Sequence, residues 1–115
     1  MSVPDFIVTV GDTVELLFQL FRNENECWDL TNYQIRFQVN DIKKATANVS
    51  GGSDDEINII EPQNGKFIVT INAGELNKTG DFNYEIEIRS PEGKVYTVAK
   101  GVIRVVKQLI TWDEK

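Results

Sequence analysis

Apolar and polar residues alternate along most of the chain. Tyr33, Ile35, Phe37 and Val39 are interleaved with Gln34, Arg36, Gln38 and Asn40, and Phe82, Tyr84, Ile86 and Ile88 with Asn83, Glu85, Glu87 and Arg89. Successive side chains of a strand point to opposite faces, so each run predicts a strand with one buried and one wetted face. Phe67, Val69 and Ile71 form a third apolar row. The β-branched and aromatic residues that crowd these windows suit a pleated surface. Turn chemistry falls between the runs: Gly11-Asp12, the polar stretch from Asn23 to Glu26, Pro62-Gln63-Asn64-Gly65, and Pro91-Glu92-Gly93. Together these signals predict about seven antiparallel strands, near 5–10, 13–22, 33–40, 57–61, 66–72, 82–89 and 94–106. Short strands at that spacing predict an all-β chain folded as a β-sandwich. A helical period is absent, save for one turn at most over Ala73 to Lys78. Asp41 to Glu56 reads as the longest irregular loop, lying at one end of the sandwich.

Two segments break the alternation. The second strand places Val14, Leu16, Phe18 and Leu20 on one face but also carries Leu17 and Phe21 on the other. Burying one such side chain is worth roughly 1.5–3 kcal/mol, so both call for a cover: the chain's own tail, a loop or a partner. The last strand runs long, and Gly101 is read as a bulge that shifts its register. Beyond it, Val106, Leu109, Ile110 and Trp112 are apolar with no evident inward face, and either pack back on the domain or lead into an oligomer contact. The organisation is therefore a sandwich over 1–106 followed by a C-terminal tail over 107–115.

Composition narrows the function classes. The chain has 115 residues, ordinary for one domain, and needs no disulfide or metal to bury a core. Its formal net charge is −6, which disfavours nucleic acid as a partner because phosphate binding needs a basic patch. No histidine occurs, which removes Ser/His and Cys/His nucleophile pairs and most zinc sites. Cys27 is the single cysteine and cannot form an intrachain disulfide. No window approaches the roughly 20 apolar residues of a membrane helix, and no signal-peptide pattern opens the sequence, so synthesis in the cytoplasm is expected.

Candidate chemistry is sparse. Glu85 and Glu87 stand two apart on one strand face and read as a solvated face rather than a glycosidase pair, which needs opposed carboxylates. Asp41, Asp54, Asp55 and Glu56 lack the spacing of a calcium loop. Trp28 reads as packing at the core edge, whereas Trp112, in the tail, suits a contact between proteins. No catalytic, metal or cofactor residues are assigned, and the chain is expected not to be an enzyme. Leu17, Phe21, Leu109, Ile110 and Trp112 are the expected interface residues.

Two resemblances add to this reading. The run Leu76-Asn77-Lys78-Thr79-Gly80-Asp81-Phe82-Asn83-Tyr84 resembles the approach to strand F of immunoglobulin domains. Phe82 stands where a corner tyrosine is usual and Tyr84 where antibody domains place a cysteine. The paired cysteines and the core tryptophan between them are missing, so the resemblance implies an immunoglobulin-like sandwich and not an antibody-type domain. The whole chain resembles the amino-terminal domain of phage baseplate upper proteins. The matching pieces run in order: Val10-Gly11-Asp12-Thr13, Asp29-Leu30-Thr31, Asn64-Gly65-Lys66, Thr79 to Glu87, Pro91 to Val98, and Gly101-Val102-Ile103-Arg104-Val105. That resemblance implies a virion structural protein of the phage or prophage tail, acting by protein–protein contact in assembly or in attaching a receptor-binding protein. Its partners would be other tail or baseplate proteins, with a homo-oligomer as a further option. The alternative is an immunoglobulin-like adhesion or carbohydrate-binding module of a bacterial surface protein.

Overall fold

The computed structural model describes residues 4–109. Among these, the chain is all-β, with strands β1 (Phe6–Thr9), β2 (Val14–Gln19), β3 (Phe21–Asn23), β4 (Glu26–Cys27), β5 (Gln34–Val39), β6 (Ile42–Ala45), β7 (Ile57–Glu61), β8 (Lys66–Ile71), β9 (Gly80–Arg89) and β10 (Val95–Val106). The larger sheet has the order β1-β10-β9-β5-β6, the smaller one β2-β8-β7, and β3 and β4 form a separate hairpin.

The inward rows meet in one core. Ile35, Phe37 and Val39 of β5, with Ile86 and Ile88 of β9, face Leu16 of β2 and Phe67, Val69 and Ile71 of β8. Aromatic rings bridge the two sheets at its centre. Phe18 lies 5.4 Å from Phe67 within its own sheet and 5.7 Å and 6.2 Å from Tyr84 and Phe37 of the other. Tyr84 in turn stacks on Phe37 at 5.8 Å. Offset and edge-on aromatic pairs contribute roughly 0.5–1.5 kcal/mol each beyond their buried area, so this knot ties the layers together without a covalent link.

Five features differ from the sequence expectation. The all-antiparallel arrangement fails at one edge, because β1 runs parallel to β10, with Phe6 opposite Ile103 and Val8 opposite Val105. There are ten strands rather than about seven among the described residues. One strand had been expected over 13–22, but it breaks at Leu20, where the backbone leaves β8: Leu20 N–H donates to Gly65 O, and Leu20 O accepts from Trp28 N–H. The expected loop from Asp41 to Glu56 contains a strand: Asn40-Asp41 is a two-residue turn, Val39 pairs with Ile42, and β6 follows. Asn40 adopts φ 55°, a left-handed conformation that asparagine tolerates. Finally, Gly101 is not the bulge. It pairs in regular register with Tyr84, and the register shift falls between Thr97 and Ala99. Gly101 is required because a Cβ there would lie 1.9 Å from Asp5 Oδ2 and 2.6 Å from Tyr84 Oη.

The turns behave as their residues demand. Pro62–Asn64 forms a 3-10 turn closed by Gly65 at φ 67°, whose N–H donates to Pro62 O. At the β9–β10 turn, Gly93 N–H donates to Ser90 O, with Gly93 at φ 92°.

Candidate contact surfaces

The outer faces of the two sheets are chemically unlike. On the smaller sheet, residues 15, 17 and 19 of β2 and 66, 68 and 70 of β8 point away from the core. Leu17 lies directly opposite Ile68 in the ladder. Leu17 is 58% exposed, and Phe21, past the break at Leu20 and on the separate β3–β4 hairpin, is 56% exposed. Ile60, exposed on β7, adds to this face beside the irregularity between Ile59 and Glu61. The result is a small apolar patch at positions that strand alternation reserves for polar side chains, with Asn58 of β7 opposite Ile68 on its far side. Gln19 fixes its border: its Nε2 donates to Asn64 O at 3.1 Å and approaches Cys27 Sγ at 3.5 Å.

Leu17 and Phe21 are thus exposed where the sequence placed them. Leu109 is 92% exposed but belongs elsewhere, beyond the end of β10, where Gln108 lies beside Gly11 of the β1–β2 turn. Ile110 and Trp112 fall outside the described residues. Ile60 and Ile68 escaped the sequence reading. The signal that exposes them is the one that exposed Leu17, an apolar residue at an outward position beside a clean inward row.

Trp28 is half-buried at the end of the sandwich. Its ring packs 5.3 Å from Tyr96 and 6.2 Å from Tyr33, and the Arg22 guanidinium lies over it at 4.8 Å. The indole is thus packed by a cation and two tyrosines, as expected of a residue at the core edge.

The larger sheet presents a polar outer face. Its middle strands form a shallow hollow of about 880 Å³, walled by Arg36 and Gln38 of β5, Asn83, Glu85 and Glu87 of β9, and Lys100 and Val102 of β10. Lys100 sits 3.8 Å from Glu85, and Gln38 Nε2 donates to Asn40 O at 2.9 Å. Further along, Arg104 grips Asp81 through Nε and Nη2 at 2.8 and 3.1 Å, and this hydrogen bonding holds the Asp81 carboxyl below its ordinary range.

Two polar clusters fasten the edges. At the β1 edge, Asp5 Oδ2 accepts from Val102 N–H at 3.1 Å and from Tyr84 Oη at 3.2 Å. Burial, and then the Asp5 charge, push the Tyr84 phenol up to about 12. At the β6 edge, Lys44 points inward and is only 5% exposed, with Nζ 2.7 Å from Glu75 Oε1. Glu75 also accepts Asn72 N–H at 2.7 Å. Burial alone would raise the Glu75 pKa, but the Lys44 hydrogen bond, the Asn72 N–H and the Lys44 charge outweigh it and bring it below the ordinary range.

No protein-family model matches the chain, and no curated protein matches it. Among solved structures, it is similar to the SrpA adhesin R347E mutant from Streptococcus sanguinis, at 12% sequence identity and a TM-score of 0.48. The match covers 92% of this chain and 56% of that one, so the chain spans little more than half the length of that structure.

Proposed function

We propose that this chain is an immunoglobulin-like contact module that works by docking rather than by chemistry, using the outer face of its smaller sheet. Strand order supports the immunoglobulin-like reading: β2, β8 and β7 take the places of strands B, E and D, and β5, β9 and β10 those of C, F and G. Phe18 and Tyr84 lie on the strands that carry the disulfide in antibody domains, and Phe37 lies on the strand that carries their core tryptophan. An aromatic knot thus stands where those domains have a covalent pin.

The observation that carries the docking reading is the apolar patch of Leu17, Ile68 and Ile60 on the smaller sheet, with Phe21 exposed on the adjoining hairpin. Covering the exposed part of each side chain is worth roughly 1 kcal/mol, enough to matter in a multi-copy assembly where such contacts repeat. In the setting that the baseplate resemblance implies, the partner is another tail or baseplate protein. The test is a Leu17→Ser/Phe21→Ser variant, compared with wild type by sedimentation velocity, alone and mixed with candidate tail proteins. Association in the wild type that weakens at least tenfold in the variant, with an unchanged melting temperature, is expected. Identical association of the two proteins would overturn the proposal.

A second reading, an adhesion module of a bacterial surface, draws on a separate observation: the polar hollow on the opposite sheet.

A further inference from the structure

The hollow on the larger sheet has a chemistry that its folding role does not require. From its shape and lining we infer that it is a binding site for a neutral oligosaccharide, held by the Arg36, Asn83 and Glu87 side chains. The inference deepens the adhesion reading and is independent of the apolar patch on the other sheet.

Shape comes first. A hollow of about 880 Å³ lies within the roughly 300–1,000 Å³ usual for small-ligand sites. Being concave, it cannot mate with the same face of a second copy without leaving a void, so self-association through it is disfavoured. Charge comes next. The lining carries two cations, Arg36 and Lys100, and two anions, Glu85 and Glu87. They balance, so neither an anionic nor a cationic ligand is selected. Lys100 and Glu85 are already paired with each other.

Hydrogen-bonding capacity decides the class. Among the described residues, the side chains of Arg36, Asn83 and Glu87 engage no ion-pair or hydrogen-bond partner, although Arg36 and Glu87 are direct cross-strand neighbours. All three are planar groups: a guanidinium fork that only donates, a carboxylate that only accepts, and an amide that does both. Adjacent hydroxyls of a sugar ring each donate and accept, and they match such a set. The centre of a protein interface, by contrast, is depleted of charge and rich in aromatic and apolar groups. Of the outward side chains lining the hollow, only Val102 is apolar. With no ring to stack on the sugar, the affinity expected is weak, with a Kd on the order of 1 mM, or about −4 kcal/mol.

The test is a titration of ¹⁵N-labelled protein with cellotetraose, maltotetraose, chitotetraose and lacto-N-tetraose, followed by amide shifts. Arg36→Ala, Asn83→Ala and Glu87→Gln are titrated alongside. These side chains lie on the outer face, and a melting curve for each variant identifies any that fails to fold, leaving the others to decide. At least one saccharide is expected to shift amides of β5, β9 and β10, with affinity falling fivefold or more in folded variants. No shifts at 10 mM of any saccharide would overturn the inference, as would shifts mapping elsewhere or binding unaffected by all folded variants. Each of these failures leaves the docking face of the smaller sheet untouched, because that proposal is read by sedimentation of a different variant.

Discussion

Lys44 offers the sharpest test of how the two layers are fastened. It occupies an inward slot of β6, opposite Phe37 in the ladder, where an apolar residue would ordinarily sit. Only 5% of it is exposed, and its ammonium meets the Glu75 carboxylate at 2.7 Å. Glu75 belongs to the turn that follows β8, so the pair clasps the edge of the larger sheet to the loop leaving the smaller one. Glu75→Gln keeps the oxygen that accepts Asn72 N–H and removes only the charge. Breaking a fully buried ion pair from one side costs about 3–5 kcal/mol, because a charge is left in a poor solvent. The Glu75 side chain is 33% exposed, so water shares the load, and roughly half that, about 1.5–2.5 kcal/mol, is expected. Lys44→Met removes the buried charge itself and keeps the stem, so it is expected to cost less than about 1 kcal/mol.

Urea unfolding of the two single variants and the double variant measures both figures and their coupling. The pH dependence gives a second reading. The folded pKa of Glu75 lies below its ordinary value of 4.5, so its contribution is present above the unfolded value and is lost as pH falls through the folded one. The stability gap between wild type and Glu75→Gln is therefore expected to be constant near neutral pH and to close below about pH 4.5. A cost under about 0.5 kcal/mol for Glu75→Gln, or a Lys44→Met cost as large, would refute this account of a desolvated cation in need of its partner.

Two further outcomes follow from the β1 edge. Gly101→Ala drives a methyl into Asp5 and Tyr84 and is expected to cost about 1–3 kcal/mol, read as a drop in melting temperature. Tyr84→Phe removes only the hydroxyl and is expected to cost about 1 kcal/mol at neutral pH. Because the folded phenol is raised to about 12, above its ordinary 10.0, its contribution is whole below pH 10 and is lost as pH climbs toward 12. The wild type should thus converge on the variant across that window, and parallel pH curves for the two would show that the hydroxyl is not buried against Asp5.

What the sequence disclosed, and what it hid, follows from how local each determinant is. Ile35, Phe37 and Val39 announce an inward row by alternation alone, and all three are buried. Tyr33 and Phe82, at the ends of their rows, are half-buried and pack against the rim of the core. β6 was invisible for a physical reason. Its inward slot holds Lys44, and a lysine at that position erases the period-two signal that marks a strand. The parallel pairing of β1 was equally hidden. Phe6 meets Ile103, and nothing in a four-residue strand, Phe6–Thr9, specifies the direction of a partner so distant in sequence. Leu17 and Phe21 were legible as exposed apolar residues because they break a pattern, whereas the hollow depends on the lie of three strands and leaves no mark in any one of them.

The distribution of charge at the sheet edges bears on where association can occur. An open edge strand invites pairing with another chain, and inward lysines or exposed charge on the edge suppress it. The larger sheet has both defences at β6, with Lys43 outward and Lys44 inward, and its outer face carries Arg36, Glu85, Glu87 and Lys100. The smaller sheet is not guarded in this way. Its edge strand β2 carries Leu17 at the middle of its outward row, between Glu15 and Gln19, and the neighbouring strand supplies Ile68 rather than a charge. That asymmetry is the physical reason to look for the partner on β2, β8 and β7, and to expect a single carboxylate at position 17 to abolish docking while leaving the fold intact.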